Sequence, residues 1–300
     1  MLDNQLYIFL TVADKKNFSR AGEFLNMTQP AISQHIHALE DYFGAKLFER
    51  SSKKVELTQA GNILYNYARN ILDLHQIAKR AVADLVDTVT GKLTIGASLT
   101  IGEYVLPRLL ATFTRKYPDV EFSVWVGNTE LIHERTREGT IDIGLVEGVI
   151  EDPQLNITPF LKDELVLVAP KLHPLAGKTR LARDDLQDSV FVIREEGSGT
   201  RHAAEDFFQK AGFWPERNIT LGSTQSIKEA VEAGLGITIL SKWCLRKELQ
   251  LGSLKLLRVK GLEMTRWFFL VQLKDRFHSR ACDEFVKMVS SEDLPKILGM

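Results

Sequence analysis

Three short stretches hold the side chains best suited to recognition. The first runs from Thr28 to Gln34 and presents Thr28, Gln29, Pro30, Ser33 and Gln34. A glutamine amide can bond adenine at two atoms, and a serine hydroxyl serves a base edge or a phosphate. The cations Lys46, Arg50, Lys53 and Lys54 cluster just beyond, suited to phosphate oxygens. The second stretch is Ser98-Leu99-Thr100, between an expected strand and an expected helix. The third, Glu195-Glu196-Gly197-Ser198-Gly199-Thr200-Arg201, likewise follows a strand and opens a helix. Hydroxyls and free N–H groups at such helix starts make an anion site, although plain N-capping is the alternative for each hydroxyl. Asn128-Thr129 and Ser223–Ser226 could add donors, and Arg201 adds a cation. Two such junctions, one from each half of the later chain, favour a small anionic ligand between the halves. Glu147 is an awkward neighbour for an anion: it bonds a protonated oxygen, pairs with a cation, or points elsewhere.

Other chemistries fit less well. Nucleotide hydrolysis needs Gly-x-x-x-x-Gly-Lys-Ser/Thr, which is absent. There is no Gly-x-Ser-x-Gly elbow, His-Glu-x-x-His pair or cysteine flanked by catalytic partners, so no catalytic residue is assigned. His35 and His37 lie two apart, whereas helical metal ligands usually lie three or four apart, so no metal is expected. Cys244 and Cys282 have no metal-ligand spacing, which makes a reduced, cytoplasmic chain the default. With 44% hydrophobic and 26% charged residues in 300, the composition is that of a soluble protein of two or three domains. The apolar run Leu6–Ala13 is too short to span a bilayer. The net charge of −1 means that DNA affinity must come from the arrangement of cations.

The elements that position these groups are legible from period and punctuation. Phe18 to Gly44 reads as two helices joined by a tight turn. Ala21, Gly22 and Leu25 form a small inner face, Asn26 suits a left-handed turn, and Thr28 is a good N-cap. Pro30 falls in the first turn, where its missing N–H costs nothing. Ile32, Ile36, Leu39 and Phe43 recur as one buried stripe, and Gly44 is placed to end the helix. This is a helix-turn-helix with its recognition helix at Thr28–Phe43. Asn4–Asp14 is a helix closing that core, and Lys46–Leu57 is a short wing turning near Ser51–Lys53. From Thr58 to Asp87, Leu64, Tyr67, Ile71, Leu74, Ala78, Ala81 and Leu85 recur at alternating spacings of three and four. This heptad seam suits a partner helix, on a helix on the order of 45 Å long. Leu64, Tyr67, Ile71, Leu74 and Leu85 are therefore candidate dimer contacts, with packing inside the chain as the alternative. Val89-Thr90-Gly91 serves as a hinge.

After Lys92, strands alternate with helices, which predicts mainly parallel sheets covered by helices. The expected organisation is α/β. It comprises a winged helix-turn-helix at 1–57, a linker helix and hinge at 58–90, and a two-lobed domain at 91–300. Lobe I takes about 91–161 and 267–300, and lobe II about 162–266, with a cleft between them.

In this order of elements the chain resembles a LysR-type transcriptional regulator. The most specific matches are Phe18-Ser-Arg-Ala-Gly, Thr28-Gln-Pro-Ala-Ile-Ser, Leu39-Glu40, Gly44-Ala-Lys-Leu-Phe-Glu-Arg50 and Leu57-Thr-Gln-Ala-Gly61. The resemblance implies lobes similar to periplasmic solute-binding proteins, with an effector held between them. It also implies that Thr28, Gln29, Pro30, Ser33 and Arg50 approach DNA. Gln34 departs from the family's usual Arg or Lys, which weakens phosphate attraction or changes base preference. Gly96-Ala-Ser-Leu-Thr-Ile-Gly-Glu-Tyr-Val-Leu-Pro107, Leu145-Val-Glu-Gly148 and Glu196-Gly-Ser-Gly-Thr-Arg201 resemble a subgroup controlling sulfur assimilation. That implies sulfite, sulfate or a similar oxoanion as effector and no other cofactor. Candidate effector residues are then Ser98, Thr100, Thr129, Glu147, Ser198, Thr200 and Arg201. The implied partners are double-stranded DNA, a second copy or three further copies of the chain and, for an activator, RNA polymerase. The rivals are a solute-binding protein without DNA function, a regulator of the same family sensing an organic carboxylate, and an anion-processing enzyme.

Overall fold

The computed structural model describes residues 2–50, 55–83, 88–148, 151–259, 263–274 and 276–300. The chain divides into two compact units, Met1–Asp87 and Thr88–Met300.

The first unit contains α1 (Leu2–Lys15), α2 (Phe18–Leu25), α3 (Gln29–Phe43), β1 (Phe48–Arg50), β2 (Val55–Leu57) and α4 (Gln59–Ala83). The turn between α2 and α3 follows from two residues. Asn26 adopts the left-handed conformation at φ 54°, as its short polar side chain allows. Gly22 lets the chain return closely: a Cβ there would lie 2.6 Å from the Met27 carbonyl oxygen. Thr28 occupies the N-cap position, but its hydroxyl makes no capping bond and stays exposed. Ile32, Ile36 and Leu39 are buried against Leu6, Phe9, Val12, Phe18 and Phe48. Fully burying a side chain of this size contributes on the order of 2 kcal/mol.

Two expectations for this unit are corrected. Phe43 does not join the buried stripe. It is exposed and lies edge-on to Tyr42, with ring centroids 5.0 Å apart, while Glu40 takes the inward position. Leu64 does not belong to the exposed seam of α4, because it and Ala68 turn into the core beneath α1. The outward row is Ile63, Tyr67, Ile71, Leu74 and Val82. The first turns of α4 must cover the α1 core, and this rotates the remaining apolar stripe toward solvent. Leu85 lies outside the described residues, as does the side chain of Ala81.

The second unit begins with β3 (Gly91–Ser98), a π-helical turn (Ile101–Val105), α5 (Leu106–Lys116), β4 (Val120–Gly127), α6 (Thr129–Arg137) and β5 (Ile143–Glu147). It continues through β6 (Leu155–Pro170), β7 (Phe191–Arg194), α7 (Gly199–Ala211), β8 (Asn218–Leu221), α8 (Thr224–Glu232) and β9 (Thr238–Ser241). Then follow α9 (Arg246–Leu251), β10 (Leu254–Leu257), β11 (Met264–Leu273), α10 (Arg280–Val289) and α11 (Leu294–Leu298). Lobe I packs around Leu93, Leu109, Phe113, Leu145 and Phe285. Lobe II packs around Leu167, Phe191, Phe207, Phe208 and Ile239.

Two separate parallel sheets do not form. One seven-stranded sheet runs β10-β6-β11-β5-β3-β4, with β9 also on β6, while β7 and β8 form a two-stranded sheet joined to the start of β9 by a parallel bridge between Phe191 and Ile237. The pairs β3–β4, β3–β5 and β7–β8 are parallel, whereas β6–β11, β11–β5, β10–β6 and β6–β9 are antiparallel. The reason is the length of β6, 16 residues, which passes from one core into the other with β11 alongside. Their register slips between Phe268 and Phe269, which face Leu161 and Pro159, so Phe160 is the extra residue of a bulge. A bulge at this point turns the shared strands where the two lobes meet. The short helix expected at Leu181–Leu186 is only a 3-10 turn at Asp184–Leu186, because Leu181 bridges to Val259.

Candidate DNA-binding and effector sites

On α3, Thr28, Gln29, Pro30 and Gln34 are exposed and Ser33 is half-buried at the edge of the same face. Gln29 donates from Nε2 to Ser33 Oγ at 3.0 Å, so the two recognition candidates present one joined polar surface. The side chain of Arg50, and all of Lys53 and Lys54, lie outside the described residues.

Glu40 connects this helix to the wing. Its Oε1 accepts from the Leu47 amide at 3.0 Å and the Phe48 amide at 3.5 Å, and its Oε2 accepts from Lys46 Nζ at 2.8 Å. His37 Nδ1 lies 3.5 Å from the same Oε2. Burial by itself would raise the Glu40 carboxyl, but the Lys46 bond and the two amides outweigh it and hold it below its ordinary range. Sequence reading missed this role, although a glutamate one position after a buried leucine of the stripe was its signal.

In the second unit, three of the candidates, Ser98, Thr100 and Thr200, meet around a carboxylate of the protein itself. Glu147, at the end of β5, is 2% exposed. Its Oε1 accepts from Ser98 Oγ at 3.0 Å and from the Thr100 amide at 3.1 Å. Its Oε2 accepts from Thr200 Oγ1 at 2.9 Å and pairs with Arg266 Nη1 at 2.7 Å. Thr129 Oγ1 donates to the Glu147 backbone oxygen at 3.3 Å. Of the alternatives for Glu147, pairing with a cation is the one realised. Burial would raise its carboxyl; the Arg266 charge, with bonds from Thr100, Thr200 and Ser98, brings it below its ordinary value.

Arg266 was not singled out in the sequence, yet it organises the site. Its Nε donates to Asp163 Oδ2 at 2.8 Å, and Asp163 Oδ1 accepts from Ser241 Oγ at 2.6 Å. Pairing explains this placement: Arg266 lies directly across from Asp163, and Phe268, two residues on and on the same face, lies across from Glu147. The signal available was a lone arginine in an apolar strand, Met264–Leu273. For Asp163 burial prevails, and its carboxyl sits above its ordinary range despite Arg266 and Ser241. Cys244 adjoins the network, and burial pushes its thiol far up, which makes it a poor nucleophile.

The remaining candidates are placed differently. Ser198 is buried as the N-cap residue of α7, with no capping bond from its hydroxyl. Arg201 turns away from the Glu147 network: Nε donates to Glu205 at 2.8 Å and Nη1 to the Arg194 carbonyl at 3.3 Å. The i,i+4 neighbour on its own helix captures it. The two lobes meet closely here. A Cβ on Gly199 would collide with the backbone and side chain of Glu147, and the Glu130 amide donates to the Gly197 carbonyl at 3.1 Å. A cavity of about 1180 Å³ adjoins the network, with Asp163 and Cys244 in its wall beside Tyr104, Lys228 and Glu248. Among the described residues, no cluster of His, Cys, Asp and Glu is placed to hold a metal ion, and no helix is long and apolar enough to cross a membrane.

A DNA-reading helical head followed by a two-lobed domain with a polar site between its lobes defines a one-component regulator. Residues 4–62 match the helix-turn-helix of bacterial regulatory proteins of the lysR family, and residues 87–293 match the LysR substrate binding domain. The chain belongs to the LysR family, and is a DNA-binding transcriptional regulator with a small-molecule effector domain, not an enzyme. It is 37% identical to the HTH-type transcriptional regulator CysL of Bacillus subtilis over 98% of both chains. It is 35% identical to a probable RuBisCO transcriptional regulator of Trieres chinensis over 94% of both chains. The regulatory domain of Synechocystis CcmR, in complex with 2-PG, superposes with a TM-score of 0.62 at 34% identity. That match covers 67% of this chain and 96% of that one.

Proposed function

We propose that this regulator is cytoplasmic and that a small oxoanion, sulfite or sulfate, is its effector. The observation that carries this reading is the donor set around Glu147. Ser98 Oγ, the Thr100 amide, Thr200 Oγ1 and Arg266 Nη1 all converge on one carboxylate from both lobes. Donors that hold a buried carboxylate this way suit an oxoanion, because several charge-assisted bonds together replace a hydration shell. The resemblance of the Gly96–Pro107 and Glu196–Arg201 stretches to sulfur-assimilation regulators supports the choice of anion. Thr129 holds the backbone carbonyl of Glu147, and Ser198 contributes through the start of α7.

In this reading Thr28, Gln29, Pro30, Ser33 and Gln34 approach the major groove, with Arg50 and Lys53 on phosphate. Two copies pair through Tyr67, Ile71, Leu74 and Leu85, as a dimer or a dimer of dimers, and an activating form contacts RNA polymerase. An anion that binds one lobe orientation better than another biases the operator-bound state. A second reading, an organic carboxylate, is favoured by one observation: the same donors already hold the carboxylate of Glu147.

Calorimetry of the full-length protein with sulfite, sulfate, phosphate and small carboxylates tests the assignment. Millimolar or tighter binding of sulfite or sulfate, lost in Thr200→Val, is the expected result. Binding of carboxylates alone would replace it with the second reading.

A further inference from the structure

We infer that Glu147 is an internal competitor for the effector: its carboxylate holds the anion receptor until a ligand with more acceptor oxygens displaces it. This rests on the proposed oxoanion site and specifies how that site is regulated and what it selects.

Three observations lead here. First, Glu147 engages both lobes: Ser98 and Thr100 of one, and Thr200 of the other, with Arg266 on the shared strand β11. The protein's own side chain thus draws the lobes together around an anionic group. Second, two donors of the same cluster are left over. Thr100 Oγ1 and Arg266 Nη2 are buried and make no hydrogen bond among the described residues. A carboxylate has only two oxygens, and those of Glu147 are already bonded. A compact anion with three or four oxygens could engage the same donors and these two as well. Third, a cavity lies one side chain away from the network: Asp163 and Cys244, which adjoin Arg266, line its wall.

The electrostatics point the same way. Glu147 and Asp163 share the one guanidinium of Arg266, so a dianion added to an intact network would meet two carboxylates with one cation between them. Exchange avoids that repulsion: the carboxylate leaves, and the anion inherits Arg266 and the hydroxyls. Selectivity follows. A monocarboxylate offers the receptor nothing that Glu147 does not already supply, so it should displace Glu147 poorly, whereas a tetrahedral or pyramidal oxoanion should succeed.

Full-length wild type, Glu147→Gln and Glu147→Ala are titrated with sulfate, sulfite and acetate, reading both calorimetric affinity and thermal midpoint. Sulfate or sulfite should bind Glu147→Gln at least tenfold more tightly than wild type. Acetate should raise the midpoint of Glu147→Ala by several degrees, filling the place of the deleted carboxylate, and leave wild type unmoved. If wild type binds sulfate or sulfite and Glu147→Gln binds it equally or more weakly, Glu147 is part of the receptor and the exchange is wrong, while the oxoanion site stands. If no protein binds any of the anions and acetate leaves Glu147→Ala unchanged, both the exchange and the oxoanion site are overturned. Should Glu147→Ala fold poorly, the comparison of Glu147→Gln with wild type decides.

Discussion

Glu147 Oε2 and Arg266 Nη1 lie 2.7 Å apart in a site where each side chain is more than nine-tenths buried. Arg266 also holds Asp163, so a single guanidinium balances two buried carboxylates. Removing one member of such a group leaves uncompensated charge in a poorly solvated place. Arg266→Met should therefore destabilise the effector domain by about 3–5 kcal/mol, read as a shift in urea midpoint. The double variant Arg266→Met/Glu147→Gln should recover part of that loss. A recovery of nothing would mean that the two side chains are energetically independent.

The joined surface of Gln29 and Ser33 leads to a specificity prediction. Gln29→Ala and Ser33→Ala should each cost about 1–3 kcal/mol of discrimination between operator and mismatched duplex, with weaker effects on nonspecific affinity. Arg50→Ala should instead weaken binding to all sequences and flatten the salt dependence. Competition titrations at two salt concentrations separate these outcomes. Unchanged selectivity in both α3 variants would remove this face of the helix from the groove.

The outward row of α4 and the inward Leu64 should respond differently to mutation. Ile71→Glu and Leu74→Glu should shift the protein toward monomer in sedimentation velocity and reduce operator binding. Leu64→Ala should leave the oligomer intact and cost about 2–5 kcal/mol of head stability, as a buried leucine truncation does. An intact oligomer after both charge substitutions would exclude this row as the contact.

Acid should loosen the wing through Glu40. Its carboxyl in the folded head lies below the ordinary value of 4.5, so its contribution is fully present above about pH 4.5. That contribution is lost as pH falls through the folded value. Glu40→Gln should lower head stability at pH 7 by about 1–3 kcal/mol, because a neutral amide is a weaker acceptor for the Leu47 and Phe48 amides. The variant should also show a smaller loss of stability than wild type as pH falls below about 4.5. Equal pH dependence in the two proteins would assign the acid sensitivity to other carboxylates.

Much of the first unit was open to reading because its determinants are local. Asn26, Pro30 and the Ile32, Ile36 and Leu39 spacing act within a few residues, and helical period reports which face is buried. Where a tertiary neighbour decided, the reading slipped: Leu64 fits a seam by spacing, yet the α1 core claims it, and Phe43 fits the stripe, yet lies beyond the edge of that core. In the second unit, the alternation of strands and helices and the hydroxyl-bearing junctions at Ser98–Thr100 and Ser198–Thr200 were likewise legible. What the sequence could not supply was the partner that those hydroxyls meet. Glu147, Asp163 and Arg266 come together only because β11 runs antiparallel between β5 and β6 in one register. A shift of one residue would move Arg266 to the opposite face of the sheet. Residue types therefore identified the hydroxyl donors, whereas strand pairing between distant segments supplied Arg266 and decided that a carboxylate of the protein itself would occupy them.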